Sequence, residues 1–155
     1  MQAKTGKNAK TGREECRILE ISCVSYNLRK SSHIVSRIYA KEMAGAPIRG
    51  PLFSLLATIH KLGPRTITAV AKEVGLDRTT LTRNLNALRQ RGLVEIRQVN
   101  ANRKEIRLRP KGEAALRKSL ESWRKAQKRV VTALGEERWN RMREDLRAVM
   151  ALGEQ

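Results

Sequence analysis

The chain has 155 residues, of which 33 are lysine or arginine and 15 are aspartate or glutamate, so its formal net charge is +18. The apolar fraction of 40% is enough for one globular core. Two tyrosines, two tryptophans and one phenylalanine are too few aromatic rings for a surface that stacks single-stranded nucleic acid. The charge instead indicates a polyanionic partner, most simply nucleic acid, the alternative being a protein that is merely basic.

Nothing in the sequence predicts export or contact with a membrane. Residues 1–13 carry four basic groups and no apolar segment, so we expect no signal peptide. No apolar run approaches the roughly 18 residues that a membrane span needs. The two cysteines, Cys16 and Cys23, do not form a disulfide framework. We therefore expect a cytoplasmic protein with reduced thiols.

The first part of the chain predicts a tail followed by two helices. Residues 1–13 are rich in lysine, glycine, threonine and asparagine, which is typical of a flexible basic tail. From about Arg17 to Ala44 apolar residues recur at helical spacing without a proline, which predicts one long helix. A second helix is predicted from Pro51 to Leu62.

Two helices joined by a tight turn are predicted next. Thr66 is the expected N-cap of a short helix that ends at Gly75. Asp77 is the expected N-cap of a longer helix, which runs to about Arg91. The longer helix has a stripe of leucines that we expect to be buried: Leu81, Leu85 and Leu88. A helix-turn-helix presents its second helix to the DNA major groove.

Beyond Gly92 the apolar period changes from helical to alternating. Residues 94–98 and 106–109 alternate apolar with polar or charged side chains, which predicts a basic β-hairpin. Pro110 ends the hairpin, and two helices are predicted after it, from about Lys111 to Leu134 and from Glu136 to the end. The chain is thus predicted to be mainly α, with a small β-hairpin.

The second helix of the helix-turn-helix carries polar groups opposite its leucine stripe. Arg83 is suited to bidentate pairing with guanine, and Asn86 to pairing with adenine. The alternative is an ordinary solvated face, but the glycine turn, the aspartate cap and the basic hairpin favour DNA contact. The candidate DNA-contacting residues on this helix are Arg78, Thr79, Thr80, Thr82, Arg83, Asn86 and Gln90.

Residues 75–92, GLDRTTLTRNLNALRQRG, resemble the recognition-helix segment of the MarR family of winged helix-turn-helix regulators. Residues 93–112, LVEIRQVNANRKEIRLRPKG, resemble that family's wing, and residues 27–39 and 53–59 resemble its first two helices. The resemblance implies a winged helix-turn-helix DNA-binding domain at 48–109. It also implies a helical dimerisation region, for which we expect residues 14–47 and 110–155.

The resemblance further implies a homodimeric transcriptional regulator, most often a repressor, that binds a pseudo-palindromic operator in double-stranded DNA. It implies a small aromatic or anionic effector, whose binding residues the sequence does not identify. A wing arginine that enters the minor groove corresponds to Arg103, and Lys104 beside it is a further candidate contact. This chain has Asn100 and Asn102 where the family has aspartates that orient the arginine. We therefore expect a more positive wing with a less well oriented Arg103.

A nonspecific or architectural DNA-binding protein is the main rival, because charge alone binds any duplex. We expect no enzyme, cofactor or metal site: no phosphate-binding glycine loop or nucleophile elbow is present, and His33 and His60 show no ligand spacing. Cys23 lies near a region where some relatives sense peroxides, but an inert thiol is the default for both cysteines. Tyr39, Phe53 and His33 are candidate walls of an effector pocket, although core packing is the more ordinary role.

Overall fold

The computed structural model describes residues 5–100 and 103–154, with the side chains of 5–11, 13, 19 and 154 left undescribed. Backbone contacts divide the chain into two compact units, one up to Ile38 and one from Tyr39, which we describe separately. In chain order the described elements are α1 (Thr5–Ser22), α2 (Val24–Glu42), α3 (Pro51–Leu62), β1 (Arg65–Thr66), α4 (Ile67–Val74), α5 (Arg78–Gln90), β2 (Val94–Asn100), β3 (Arg103–Leu108), α6 (Pro110–Leu134), α7 (Glu136–Ala151) and a short 3₁₀ helix (Leu152–Glu154).

Helix α1 corrects the prediction of a flexible tail at residues 1–13. Residues 1–4 lie outside the described part of the chain, but from Thr5 onward the backbone is helical. The sequence from Thr5 to Ser22 contains no proline, and it includes two lysines, two arginines, one alanine and three glutamates, all good helix formers. The basic composition on which the tail prediction relied is therefore compatible with a helix.

The predicted single helix from Arg17 to Ala44 is divided at Cys23, which separates α1 from α2. The Asn27 side-chain amide donates to the carbonyl oxygens of Cys23 at 2.9 Å and Ile21 at 3.2 Å. The bond to Ile21 satisfies a carbonyl near the end of α1, where helical partners run out. The Cys23 carbonyl also accepts from the backbone N–H of Asn27 at 3.1 Å. Across the break, Glu20 accepts a hydrogen bond from the Tyr26 hydroxyl at 2.8 Å and forms a salt bridge with Lys30 at 3.1 Å.

The helix-turn-helix forms as predicted. The Thr66 hydroxyl accepts from the N–H of Ala69 at 3.2 Å and caps α4, while Asp77 Oδ1 accepts from the N–H of Thr80 at 2.8 Å and caps α5. Gly75 has φ 63°, a left-handed conformation that turns the chain sharply at the end of α4.

A three-stranded antiparallel sheet with strand order β1-β3-β2 contains the predicted hairpin and one strand that the sequence did not predict. Strand β1 has two residues, and it pairs Arg65 with Ile106 and Thr66 with Glu105. In the hairpin, Ile96 lies opposite Ile106 and Val94 opposite Leu108. The mainly α fold with a small hairpin is thus confirmed, with β3 as the central strand.

One core joins these elements within the second unit. The predicted leucine stripe of α5 is buried, with Leu81 and Leu88 fully inaccessible. Helix α6 completes the core through Leu116, and its buried Ser119 hydroxyl accepts from the N–H of Ile48 at 3.1 Å. Members of the buried core include Phe53, Leu55, Leu56, Ile59, Val70, Leu81, Leu85, Leu88, Leu93, Val94, Ile106 and Leu116. The core therefore fixes the orientation of α5 and the hairpin.

Candidate nucleic-acid interface

The outward face of α5 forms an open groove of about 680 Å³. Burial of Leu81, Leu85 and Leu88 on one side of the helix turns the polar side chains to solvent on the other. The groove brings together most of the residues predicted on this helix, namely Arg78, Thr79, Thr82, Arg83, Asn86 and Gln90, together with Ala87. This combination of guanidinium, amide and hydroxyl groups can donate to and accept from base edges.

Charge in this groove is uniformly positive. No carboxylate lines it, and among the described ion pairs none involves Arg78 or Arg83. Asp77 lies at the helix N-terminus, where the backbone N–H of Thr80 donates to it and holds the pKa of its carboxyl below the ordinary value. Its charge is therefore used to cap α5, and the two arginines keep their donors available for an external acceptor.

Two of the threonines predicted to contact DNA, Thr80 and Thr82, differ in their positions. Thr80 is half-buried beside the Asp77 cap and does not line the groove. Thr82 does line it, but its hydroxyl donates to the carbonyl oxygen of Arg78 at 2.7 Å. Since a hydroxyl has one donor, Thr82 can meet a ligand only as an acceptor.

A second groove of about 380 Å³ lies between the start of α4, the start of α5 and the hairpin. The two candidate wing residues, Arg103 and Lys104, line it, and Arg78 lines both this groove and the groove on α5. Sequence reasoning missed the contributions of Thr66, Ile67, Thr68 and Gln98 to its walls. The exposed Thr68 directly after the α4 cap was the available signal, but its proximity to the hairpin depends on the unpredicted pairing of β1 with β3.

Arg103 is held by a group that the sequence reasoning did not identify. Its guanidinium lies 2.8 Å from Glu105 Oε1 in a salt bridge. The expectation of a poorly oriented wing arginine rested on Asn100 and Asn102; the carbonyl of Asn100 accepts from the Gln98 amide, and Asn102 lies outside the described residues. A carboxylate two residues after Arg103 thus contacts its guanidinium, and this partner was not part of the expectation.

Two of the three residues proposed to line an effector pocket, Phe53 and Tyr39, belong to the hydrophobic core or pack against it. Phe53 is buried and stacks on Trp123 with ring centroids 6.4 Å apart, and Tyr39 donates to the Gln127 side chain. Burial raises the pKa of Tyr39 above its usual value of 10.0. His33 is exposed on α2. Core packing therefore explains Phe53 and Tyr39.

Metal-binding side chains, cysteines and membrane-spanning helices are considered next for the described residues. Within residues 5–100 and 103–154, no three His, Cys, Asp or Glu side chains are grouped as a metal site would require. Cys16 is exposed and Cys23 half-buried, and both are free thiols. No helix in the described part of the chain is long and apolar enough to cross a membrane.

Comparison with known proteins identifies the fold and the family. The sequence model of the MarR family matches residues 50–106, which span the helix-turn-helix and most of the hairpin. A search of curated proteins gave no match. The transcriptional regulator MosR of M. tuberculosis, solved in complex with DNA, is 33% identical with a TM-score of 0.77, and the match covers 86% of this chain and 97% of MosR.

Two more distant structures share the fold. A mutant of E. coli MarR in complex with operator DNA has a TM-score of 0.76 at 18% identity, covering 85% of this chain and 96% of that one. Bordetella bronchiseptica BpsR, whose DNA binding is regulated by 6-hydroxynicotinic acid, has a TM-score of 0.76 at 16% identity, covering 84% and 95%. Because the chain is 33% identical to MosR in a match that covers nearly all of MosR, it belongs to the MarR family of winged helix-turn-helix transcriptional regulators.

Proposed function

We propose that the protein is a homodimeric repressor that binds a specific double-stranded operator and is released from it by a small molecule. The observation that carries the proposal is the groove on α5, where Arg83 and Asn86 face solvent without a carboxylate in the lining. In the major groove these two side chains have the donors and acceptors to read guanine and adenine. Thr79 and Gln90 extend the same face, and Arg78 and the acceptor of Thr82 supply the remaining contacts.

The second groove supports a path for the DNA backbone between the recognition helix and the wing. Arg78 lines both grooves, and Arg103 and Lys104 line the far side of the second groove. A DNA strand that leaves the α5 groove would therefore bring its phosphates past Arg78 and then past Arg103 and Lys104. Phosphate contacts of this kind fix register, while base contacts supply sequence preference.

Exposed apolar residues outside the DNA-binding lobe, residues 51–116, support dimerisation. Helix α1 exposes Ile18 at 55% and Ile21 at 73%, and α2 exposes Val24 at 65%. At the other end of the chain, Met150 and Leu152 are 66% and 70% exposed. Grouped exposed apolar residues mark interaction surfaces, and a second copy of the chain is the occupant that the family supports. A two-fold dimer would read half-sites roughly 10 base pairs apart.

The proposal of an effector rests on BpsR, whose DNA binding 6-hydroxynicotinic acid regulates. For this chain we propose an aromatic or anionic molecule that changes the separation of the two recognition helices, which is the coupling that a symmetric dimer permits. We place its action in the cytoplasm, where its DNA target lies.

The experiment is a competition measured by fluorescence anisotropy. A labelled duplex from upstream of the protein's own gene competes with a scrambled duplex of equal length at about 150 mM salt, where screening is near physiological. A preference of about a thousandfold supports a site-specific regulator. Equal binding, if duplexes selected from a random pool also bind no better, would leave a nonspecific DNA-binding protein as the better description.

Arg83→Ala tests the reading residue, and Arg89→Ala is its matched control. Both variants remove one guanidinium from α5, but Arg89 does not line the groove. Arg83→Ala should weaken specific binding by about 1–3 kcal/mol and flatten base preference. Arg89→Ala should reduce affinity for all duplexes slightly and equally. Identical base preferences in both variants would remove Arg83 as a reader.

A further inference from the structure

The solvent face of the hairpin carries an alternating set of charges. Ile96 and Ile106 face the core from opposite strands. Because side chains alternate along a strand, the residues beside them face away from the core. There Glu95 lies opposite Arg107, and Arg97 lies opposite Glu105. The wing is therefore not simply basic, since carboxylates are interleaved with its arginines.

These two carboxylates have different surroundings. Glu95 pairs with Arg97 at 2.8 Å and its side chain is 29% exposed. Glu105 pairs with Arg103 at 2.8 Å, but its side chain is only 12% exposed. Glu105 lies on the central strand, with Thr66 of β1 on one side and Arg97 of β2 on the other. Its backbone is thus fixed from both edges, and its carboxylate is the more firmly placed of the two.

In contrast to the Glu105 side chain, the Arg103 side chain is largely exposed. Arg103 is the first residue of β3, and its side chain is 54% exposed. An arginine side chain at such a position loses considerable rotamer entropy when it binds a ligand. Glu105 engages one terminal nitrogen of the guanidinium. Because a guanidinium has five N–H donors, the others stay available to DNA.

We propose that Glu105 is a positioning residue that holds Arg103 ready for DNA and thereby sets the ratio of specific to nonspecific binding. The inference rests on the proposed function, in which Arg103 contacts the operator. Glu105 acts in two opposed ways. Its negative charge weakens attraction to any phosphate backbone, whereas its salt bridge lowers the ordering cost when Arg103 meets its specific partner. Both effects raise the specificity ratio.

The two effects make charge and positioning experimentally separable. If Glu105 were only a negative charge near DNA, Glu105→Gln would tighten binding to every duplex. If it positions Arg103, the same variant should bind a scrambled duplex slightly more tightly but its specific duplex about two- to tenfold more weakly, the range expected for ordering one long side chain. The probe is the duplex that the unaltered protein selects most strongly from a random pool.

Glu95→Gln is the matched control, because it removes one carboxylate and one salt bridge from the same hairpin without touching Arg103. It should tighten binding to both duplexes by a similar factor. Glu105→Asp keeps the charge and withdraws the carboxylate by one methylene, so it should lower the specific affinity without raising the nonspecific one. Glu105→Gln behaving like Glu95→Gln on both duplexes would overturn the proposal.

Arg103→Ala distinguishes failure of this inference from failure of the proposed function. If Arg103→Ala leaves the specificity ratio unchanged, the wing contact itself is wrong. If Arg103→Ala lowers the ratio and Glu105→Gln does not, only the positioning role fails. In the Arg103→Ala background, Glu105→Gln should no longer weaken specific binding, because Glu105 then has no guanidinium to position. The slight tightening that comes from removing its charge should remain on both duplexes. Thermal unfolding of each variant, which a positioning role leaves nearly unchanged, checks that the fold is intact.

Discussion

The lobe from Pro51 to Leu116 and the first unit of the chain differ in the burial of their apolar residues. In the lobe, Leu81 and Leu88 are fully buried among residues of the same lobe. In the first unit, Ile21 is 73% and Val24 65% exposed. Exposed apolar surface costs about 25 cal/mol per Å² relative to burial. The apolar residues of the lobe are therefore buried within the chain, whereas the exposed apolar residues of α1 and α2 are the ones that the proposed dimer would cover.

The largest expected effect is on that partner contact. Val24, Leu28 and Val35 of α2 lie within about 40° on a helical wheel. Val35→Glu would bury an unpaired charge in the proposed dimer, and we expect the dimer dissociation constant to rise by about a hundredfold or more. Sedimentation velocity over a concentration series measures the change.

Ser36→Glu is the control for this variant, since it adds the same charge about a quarter turn away on the same helix. It should leave the dimer nearly intact. If Val35→Glu sediments like the unaltered protein at every concentration, the α2 stripe is not the dimer surface, and the comparison between the two regions needs another explanation.

The second prediction tests whether the lobe is stabilised by its own buried leucines. Leu85 is 2% exposed, and Leu85→Ala should lower the free energy of unfolding by about 2–5 kcal/mol through lost burial and a cavity. Urea unfolding followed by circular dichroism gives this number. Asn86→Ala, at the next and exposed position of α5, should change it by less than about 0.5 kcal/mol. Comparable losses in both variants would mean that α5 is not held by its leucine face.

Two glycines sharpen the same comparison. A Cβ on Gly112, in the first turn of α6, would lie 2.2 Å from the carbonyl oxygen of Leu93, while a Cβ on Gly12 of α1 would meet nothing within 4 Å. Helix propensity alone predicts that alanine stabilises both positions. We expect Gly112→Ala to destabilise the protein by about 1–3 kcal/mol, because backbone must move. Gly12→Ala should be neutral or stabilising by up to about 1 kcal/mol. The midpoint of urea unfolding shows for each variant whether alanine stabilises or destabilises the protein.

Local signals predicted the parts of the lobe that depend on neighbours in sequence. Thr66 and Asp77 marked the starts of α4 and α5, and Gly75 marked the turn between them. The break at Cys23 was missed because the period of the apolar residues continues across it, while Asn27 bonds to the carbonyls there. No local pattern indicated β1, since two residues become a strand only through pairing with β3.

For the candidate site, the sequence predicted the polar face of α5 but not how the wing arginine is held. The face follows from helical geometry, because the leucine spacing alone determines which residues point outward. The pairing of Arg103 with Glu105 was missed because the second strand was predicted over residues 106–109, whereas β3 begins at Arg103. Alternation along a strand places residues 103 and 105 on the same face. Proximity of Thr68 to Lys104 depends on tertiary packing.

The smallest expected effect is the pH dependence of the α5 cap. The N–H of Thr80 donates to Asp77 and holds the pKa of this carboxyl below its ordinary value of 3.8. Because the folded-state pKa is the lower one, the stabilisation is fully present above the unfolded-state pKa and is lost as the pH falls through the folded-state pKa.

Asp77→Asn keeps a capping oxygen but removes the charge, so it serves as the reference for the titration of every other group. The melting temperature of the unaltered protein should exceed that of Asp77→Asn at neutral pH, where the carboxylate also favours the positive end of the helix dipole. This difference should shrink in acid, below the ordinary pKa of the carboxyl. A difference that stays constant across the acid range would mean that the cap acts through its hydrogen bond and not through its charge.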